Sequence, residues 1–230
     1  MAKKCYNNAK GEKDMQYKNI LFDLDGTLTD SGPGIRNAAR HALFRFGIEE
    51  NEKEKLDRFI GPPLYDSFQR FYGIDAITAK NGENYFREYY KDKGIFENSL
   101  YDGIDECLSL LKNGRFNLYI ATSKPDFMAE TVARHFDIAK YFDGIFGAKP
   151  DMSISSKKDV ISLLRDAHPE ISPENSIMVG DREHDVLGAC AHGIKCVGVL
   201  WGYGSKKELE ESGAVCTVEN PQELYRYLVR

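Results

Sequence analysis

No stretch of this 230-residue chain comes near the roughly 18 consecutive apolar residues that a membrane-spanning helix needs. The first residues, MAKKCYNNAKGEKDMQYKN, also lack the apolar run of a secretory signal. They hold almost nothing to bury before Tyr17, so residues 1–16 are expected to form a disordered leader, with Met15 a second candidate start. The five cysteines (Cys5, Cys107, Cys190, Cys196 and Cys216) include no CxxC pair, and no histidine cluster completes a zinc spacing. An odd, scattered set of this kind is expected of reduced thiols in a cytoplasmic protein. Positive charge is in deficit too, at a net −5, which argues against a nucleic-acid surface. The basic pairs Lys157-Lys158 and Lys206-Lys207 read as solvated helix faces. Internal repeats and low-complexity segments are absent. What remains is a globular chain with no membrane or nucleic-acid partner expected, a monomer or small homo-oligomer, sized for one large domain or a core plus an insert.

The residues that are present alternate between two patterns. YKNILF (17–22), FNLYIAT (116–122), SIMVG (176–180) and KCVGVL (195–200) are short apolar runs bounded by polar residues, as strands are. DGIFG (143–147) and AVCTV (214–218) are weaker candidates. Helical patterning occupies 103–113, 125–135, 157–167, 184–192, 205–212 and 221–229, with Pro125 and Pro221 suited to first-turn positions. Strands that are apolar throughout and alternate with helices predict a doubly wound, Rossmann-like α/β core with a parallel sheet covered on both faces.

One block breaks the alternation. Between Gly32 and Phe96 no good strand is found, while Ile35, Ala38, Ala39, Ala42, Leu43 and Phe46 follow helical spacing. Phe68, Phe71 and Tyr72, then Tyr85, Phe86, Tyr89 and Tyr90, predict two further helices whose rings pack a small bundle. The expected organisation is an α/β core over 17–31 and 97–230, interrupted by an all-helical domain over 32–96.

The chemistry sits at strand ends. NILFDLDGTLTDS runs from a buried-looking strand into Asp23 and Asp25, and burying unpaired carboxylates is costly. In an open α/β sheet, ligands bind beyond the carboxyl ends of the strands. The strand at 116–122 delivers Thr122, Ser123 and Lys124 to that rim, and the strand at 176–180 delivers Asp181, with Glu183 and Asp185 close behind. Gathered carboxylates repel one another, and Mg²⁺, a hard cation that prefers oxygen ligands, relieves the repulsion and attracts a phosphoryl group. An aspartate beside such a cation can attack phosphorus, while a second carboxylate two residues on can serve as acid and base. Hydroxyls, backbone N–H groups and a lysine can bind the remaining phosphoryl oxygens.

In this order, DLDGT, ATSK and GDREHD resemble the signature of the haloacid dehalogenase-like (HAD) phosphohydrolases, from about residue 19 to the end of the chain. IGPPLYDSF and GVLWGYG further resemble the phosphoglycolate phosphatase-like branch. The resemblance implies that the inserted helices are a cap closing over the site, with hinges near Gly32–Gly34 and Ile95–Tyr101. It implies that Asp23 is the nucleophile and Asp25 the acid/base. It assigns Mg²⁺ to Asp23, the Asp25 backbone carbonyl and Asp181, with Asp185 in a supporting or water-linked role. Thr122, Ser123 and Gly26 would bind phosphate, the last two through backbone N–H groups. The family's neutralising lysine normally opens the helix before the GD-bearing strand. Lys157 has that position, with Lys158 beside it, while Lys149 in AKPD reads as a loop lysine. Asp25 argues against a dehalogenase, and no cap lysine (Lys53, Lys55, Lys80) suits Schiff-base chemistry.

The expected function is therefore Mg²⁺-dependent hydrolysis of a small phosphorylated metabolite through an aspartyl-phosphate, phosphoglycolate phosphatase-like, with Gly61-Pro62-Pro63 and Arg182 as candidate substrate contacts. A nucleotidase, a pyrophosphatase and a sugar phosphomutase are alternatives with the same first steps. A non-enzymatic receiver-like module would share a sheet with rim aspartates but is about half this length and has no helical insert.

Overall fold

A computed structural model describes residues 17–61, 64–149 and 153–230. The expected leader over 1–16 and the Pro62-Pro63 pair lie outside the described residues. The chain divides into two compact units, one made of the residues up to Thr29 together with Leu100–Arg230, the other of Asp30–Ser99. Strand β1 (Asn19–Phe22) opens the first unit, and a two-residue strand, β2 (Thr29–Asp30), leads into the helical one. There α1 (Gly32–Arg45), α2 (Lys53–Leu56), α3 (Leu64–Tyr72) and α4 (Ala76–Tyr90) follow. After β3 (Ser99–Leu100) come α5 (Ile104–Asn113), β4 (Asn117–Pro125), α6 (Asp126–His135), β5 (Gly144–Ala148) and α7 (Lys157–Ala167). The chain ends with β6 (Ser176–Gly180), α8 (Glu183–Cys190), β7 (Lys195–Val199), α9 (Lys206–Glu211), β8 (Cys216–Val218) and α10 (Pro221–Leu228).

The first unit is an α/β domain on a six-stranded parallel sheet in the order β5-β4-β1-β6-β7-β8. Leu21 of β1 lies beside Tyr119 of β4 on one side and Met178 of β6 on the other. Every residue of β1 and of β6 is buried, as expected of central parallel strands covered on both faces. One core cluster joins Leu21, Tyr119 and Met178 to Val160, Ile161 and Leu164 of α7 and to Val186 and Ala189 of α8. From β1 the chain builds β4 and β5 to one side and later β6, β7 and β8 to the other. The strand order therefore reverses at β1, where a doubly wound sheet leaves a crevice beyond its carboxyl edge.

Helix starts show why these boundaries fall where they do. Ser156 caps α7 by accepting from the Asp159 N–H, and Asn220 caps α10, whose first turn holds Pro221 as expected. Pro125 differs: it is the last residue of β4, with extended backbone (φ −53°, ψ 135°), and α6 begins after it. Helix α6 has no side-chain cap. Among the described residues no helix is long and apolar enough to cross a membrane, and Cys107, Cys190, Cys196 and Cys216 form no disulfide.

The second unit is helical, and its aromatic residues pack as a bundle core. Phe59 and Phe68 meet at 5.0 Å between ring centres, Phe46 and Phe68 at 6.0 Å, and Phe46 and Tyr85 at 5.6 Å, mostly edge to face. Gly32–Gly34, where a hinge is expected, forms the first turn of α1 and packs closely within the helical unit. The Gly34 N–H donates to the Glu97 carbonyl at 2.9 Å, and a Cβ at Gly34 would stand 1.9 Å from the Gly94 carbonyl oxygen. Only glycine allows that approach.

Candidate active site

The site is assembled by the residues that immediately follow β1 and β6, by Thr122–Lys124 within the last part of β4, and by the first residue of α7. Asp23 continues β1, its N–H donating to the Val179 carbonyl at 2.9 Å, so the ladder aims the carboxylate beyond the sheet edge. Lys157 reaches it from α7. Its Nζ lies 2.7 Å from Asp23 Oδ1, 2.8 Å from Asp185 Oδ1 and 2.6 Å from the Ala121 carbonyl oxygen. Lys157 is only 4 % exposed, so its expected place on a solvated helix face is corrected: the apolar stripe of α7 draws the helix's first residue inward. Gly188 of α8 makes room, since a Cβ there would sit 2.6 Å from Lys157 Cγ. Lys158 is exposed, and Lys149 pairs instead with Asp126 at 2.5 Å.

Asp181 follows β6 and is fully buried. Its Oδ1 accepts from Thr27 Oγ1 at 3.2 Å and its Oδ2 from the Tyr203 N–H at 2.8 Å. Ligand oxygens of Asp23, Asp181 and Asp185 lie within 4.8 Å of one another. Burial, offset in part by Lys157, pushes the Asp23 carboxyl up to about 6, with Asp185 adding to the rise. Burial, then Asp185 and Asp23, also holds Asp181 well above the usual carboxylate range. Burial works against the charge of Lys157, but Asp185 and Asp23 outweigh it and keep the ammonium firmly protonated. One lysine thus stands among three buried carboxylates, a surplus of negative charge that a cation would relieve. The donor set is all oxygen, which fits a hard divalent ion. Asp185 has both oxygens engaged, Oδ1 with Lys157 and Oδ2 with the Arg182 N–H at 3.1 Å, so Asp23 and Asp181 are the side chains better placed to hold it.

The other expected residues sort differently. Asp25 stands outside the three-carboxylate cluster, and its carboxylate pairs with Lys124, whose Nζ lies 3.1 and 2.9 Å from the two oxygens. Thr122 is buried, with Oγ1 accepting from the Lys124 N–H at 3.2 Å, while Ser123 is exposed. Gly26 corrects an expectation. Its N–H donates to the Thr29 carbonyl at 2.7 Å and is engaged in a turn rather than open to phosphate. Glycine is needed there for geometry, because φ is +89° and a Cβ would lie 2.3 Å from Asp181 Oδ2. Arg182 also turns away from its expected substrate role, pairing with Glu208 of α9 at 2.8 Å. Gly61 is exposed with φ +104°, and its two prolines are outside the described residues.

Two parts of the site have no expected role of their own in the sequence: Lys124, and the Trp201–Gly204 segment. In the latter, the Trp201 indole N–H donates to the Thr27 carbonyl at 3.0 Å, and a Cβ on Gly202 would lie 2.3 Å from the Gly26 carbonyl oxygen. The signal was available: glycines alternating with aromatics in WGYG mark a backbone that passes close to something.

A parallel sheet with carboxylates and a buried lysine at its switch point defines a class of enzyme, and comparison with known proteins agrees. The chain belongs to the haloacid dehalogenase-like hydrolase family, whose model matches residues 20–199. It is an enzyme, a hydrolase of the phosphatase type. A 5'-nucleotidase of Pseudomonas aeruginosa is 43% identical over 195 residues, covering 85% of this chain and 88% of that one. A tyrosine-protein kinase, PtkA, of Mycobacterium tuberculosis is 42% identical over 186 residues, 80% of this chain but 62% of the relative. Phosphoglycolate phosphatase 1 of Pseudomonas aeruginosa is less similar, 28% identical over 213 residues, 89% of this chain and 77% of that one. Among solved structures, a haloacid dehalogenase-like hydrolase from Streptococcus pneumoniae superposes with a TM-score of 0.86 at 33% identity, covering 92% of this chain and 98% of the other.

Proposed function

We propose that this protein is a Mg²⁺-dependent phosphomonoesterase that works through a phosphorylated Asp23, with a nucleoside 5'-monophosphate as the first substrate class to test. The observation that carries the reading is the buried Asp23–Lys157–Asp185 ion-pair chain beside Asp181. Asp23 attacks phosphorus while the bond to the leaving oxygen breaks, and Asp25 gives that oxygen its proton. Asp25 then takes a proton from water, the water oxygen attacks the phosphorus of the aspartyl-phosphate, and Asp23 leaves as a free carboxylate with inorganic phosphate as product. Lys157 holds Asp23 in line and offsets its charge. Thr122, where β4 leaves the register of β5, binds a phosphoryl oxygen. A Mg²⁺ ion held by Asp23, Asp181 and the Asp25 carbonyl, with Asp185 supporting, would supply charge stabilisation to the phosphoryl oxygens.

The substrate ranking rests on similarity: the relative named a 5'-nucleotidase is far closer in sequence than the one named a phosphoglycolate phosphatase. The test is phosphate release from nucleoside 5'-monophosphates, phosphoglycolate, sugar phosphates and pyrophosphate in Mg²⁺, with Asp23→Asn as the blank. Preferential release from the nucleotides supports the reading. Release from phosphoglycolate alone moves the substrate while keeping the chemistry, and turnover that survives in Asp23→Asn overturns the chemistry.

A further inference from the structure

We infer that Lys124 is a positioning residue for the reaction: a buried lysine, turned inward by an irregularity in β4, that fixes the Asp25 carboxylate where its proton transfers take place. This rests on the phosphomonoesterase reading and adds a part that the reading does not assign. Lys124 would act through Asp25 and not on the phosphoryl group.

The argument begins in the sheet. Strands β4 and β5 run in step as far as Ala121 beside Phe146, yet the next aligned pair is Pro125 with Ala148. β4 therefore spends more residues than its neighbour over the same distance, a bulge of the kind that re-aims a side chain. Along this stretch Thr122 and Lys124 are buried and Ser123 between them is exposed. Two contacts hold the bulge in shape. The Thr122 hydroxyl oxygen accepts from the Lys124 N–H at 3.2 Å, and β5 presses so close that a Cβ on Gly147 would stand 2.4 Å from the Lys124 carbonyl oxygen.

A lysine seldom gives up water without a partner, and the Lys124 side chain is only 5 % exposed. Its ammonium spans both oxygens of Asp25 at 3.1 and 2.9 Å, so it restrains rotation of that carboxylate. Asp25 needs the restraint. It sits past the end of β1, outside the three-carboxylate cluster, in a turn that includes Gly26 at φ +89°. A misplacement of about 1 Å in a group that transfers protons can cost on the order of 100-fold in rate.

The experiment is a double-mutant cycle on kcat and KM with a nucleoside 5'-monophosphate, using Lys124→Met, Asp25→Asn and the pair. Lys124→Met is expected to lower kcat about 10- to 100-fold with KM little changed. Lys124→Arg, which keeps the charge, is expected to recover most of the loss. The double variant is expected to turn over no more slowly than Asp25→Asn alone. A rise in KM in place of a fall in kcat, or a double variant slower than Asp25→Asn by the full Lys124→Met factor, overturns the proposal, because Lys124 then acts on substrate directly. Wild-type kinetics in Lys124→Met overturn it as well. If Lys124→Met melts below the assay temperature, Lys124→Gln, which is one atom shorter and uncharged but keeps a donor, is read in its place by the same criteria. If the wild type releases no phosphate, the phosphatase reading is what fails. A crystal structure of the Lys124 variant then decides the ion pair's role: a turned or disordered Asp25 carboxylate upholds it, and an unmoved one overturns it.

Discussion

Among the described residues Lys157 is the lysine paired with Asp23 and Asp185, beside Asp181, so its removal isolates buried negative charge. Lys157→Met fills the same volume without the ammonium. Breaking a buried pair in this way costs about 3–5 kcal/mol, and urea unfolding of the metal-free protein is expected to show a loss in that range. Phosphate release should be lost with it. Lys158→Met, on the exposed neighbour, should leave both unchanged within about 0.5 kcal/mol. Equal effects from the two lysines would mean that Lys157 is not the charge that the site depends on. The sequence singled out Lys157 through its place at the head of a helix, but could not show its burial. That depends on Gly188 of a different helix leaving space beside the lysine stem.

At the scale of elements, the segment after β7 does more than join a strand to a helix. Trp201 is tied to the Thr27 carbonyl, Tyr203 donates its N–H to Asp181, and Gly202 lies against both Gly26 and Asp181. A Cβ on Gly202 would be 2.4 Å from Asp181 Cβ, so Gly202→Ala must shift the carboxylate, the backbone or both. Residues that orient a metal ligand typically carry a factor of about 10–100 in metal affinity. Gly202→Ala is expected to raise the Mg²⁺ concentration for half-maximal activity by a factor in that range, and an unchanged Mg²⁺ dependence would show that the segment does not orient Asp181. Strand and helix positions were largely legible from apolar runs, because central parallel strands are buried on both faces and contain little else. What escaped was local and three-dimensional. Pro125 ends a bulged strand when a first helical turn was expected, and the Gly26 amide closes a turn. Neither the bulge nor the turn partner leaves a periodic trace in one sequence.

For the molecule as a whole, the site couples stability to pH and to metal. A carboxyl whose ordinary value is 3.8 and whose folded value is about 6, as for Asp23, supports the fold fully below its unfolded value. That support is lost as pH rises through about 6, and Asp181 shifts in the same direction. Chelator-treated protein is therefore expected to melt at lower temperature at pH 7.5 than at pH 5.5. A divalent cation held by these carboxylates is expected to reverse the loss: Mg²⁺ at about 100 times its dissociation constant would add roughly 2.7 kcal/mol, or about 5–10 °C in Tm for a chain of this size. The gain should shrink as pH falls below about 6, where protons compete for the same oxygens. A Tm shift independent of pH, or one unaltered in Asp181→Asn, would place the ion elsewhere. Patterning changes abruptly after Ser31, near the unit boundary at Asp30. The tight contact of Gly34 with Gly94 leaves no such trace, since it joins residues far apart in the chain.

The measurement that bears most directly on the account is chemical trapping at Asp23. Enzyme turning over a nucleoside 5'-monophosphate in Mg²⁺ is quenched and treated with borohydride, which reduces an aspartyl-phosphate to homoserine. Peptide mass spectrometry then locates the change. Homoserine at position 23, dependent on substrate and Mg²⁺ and absent from Asp23→Asn, is the predicted result. Reduction at a different carboxylate, or turnover that survives in Asp23→Asn, would contradict it.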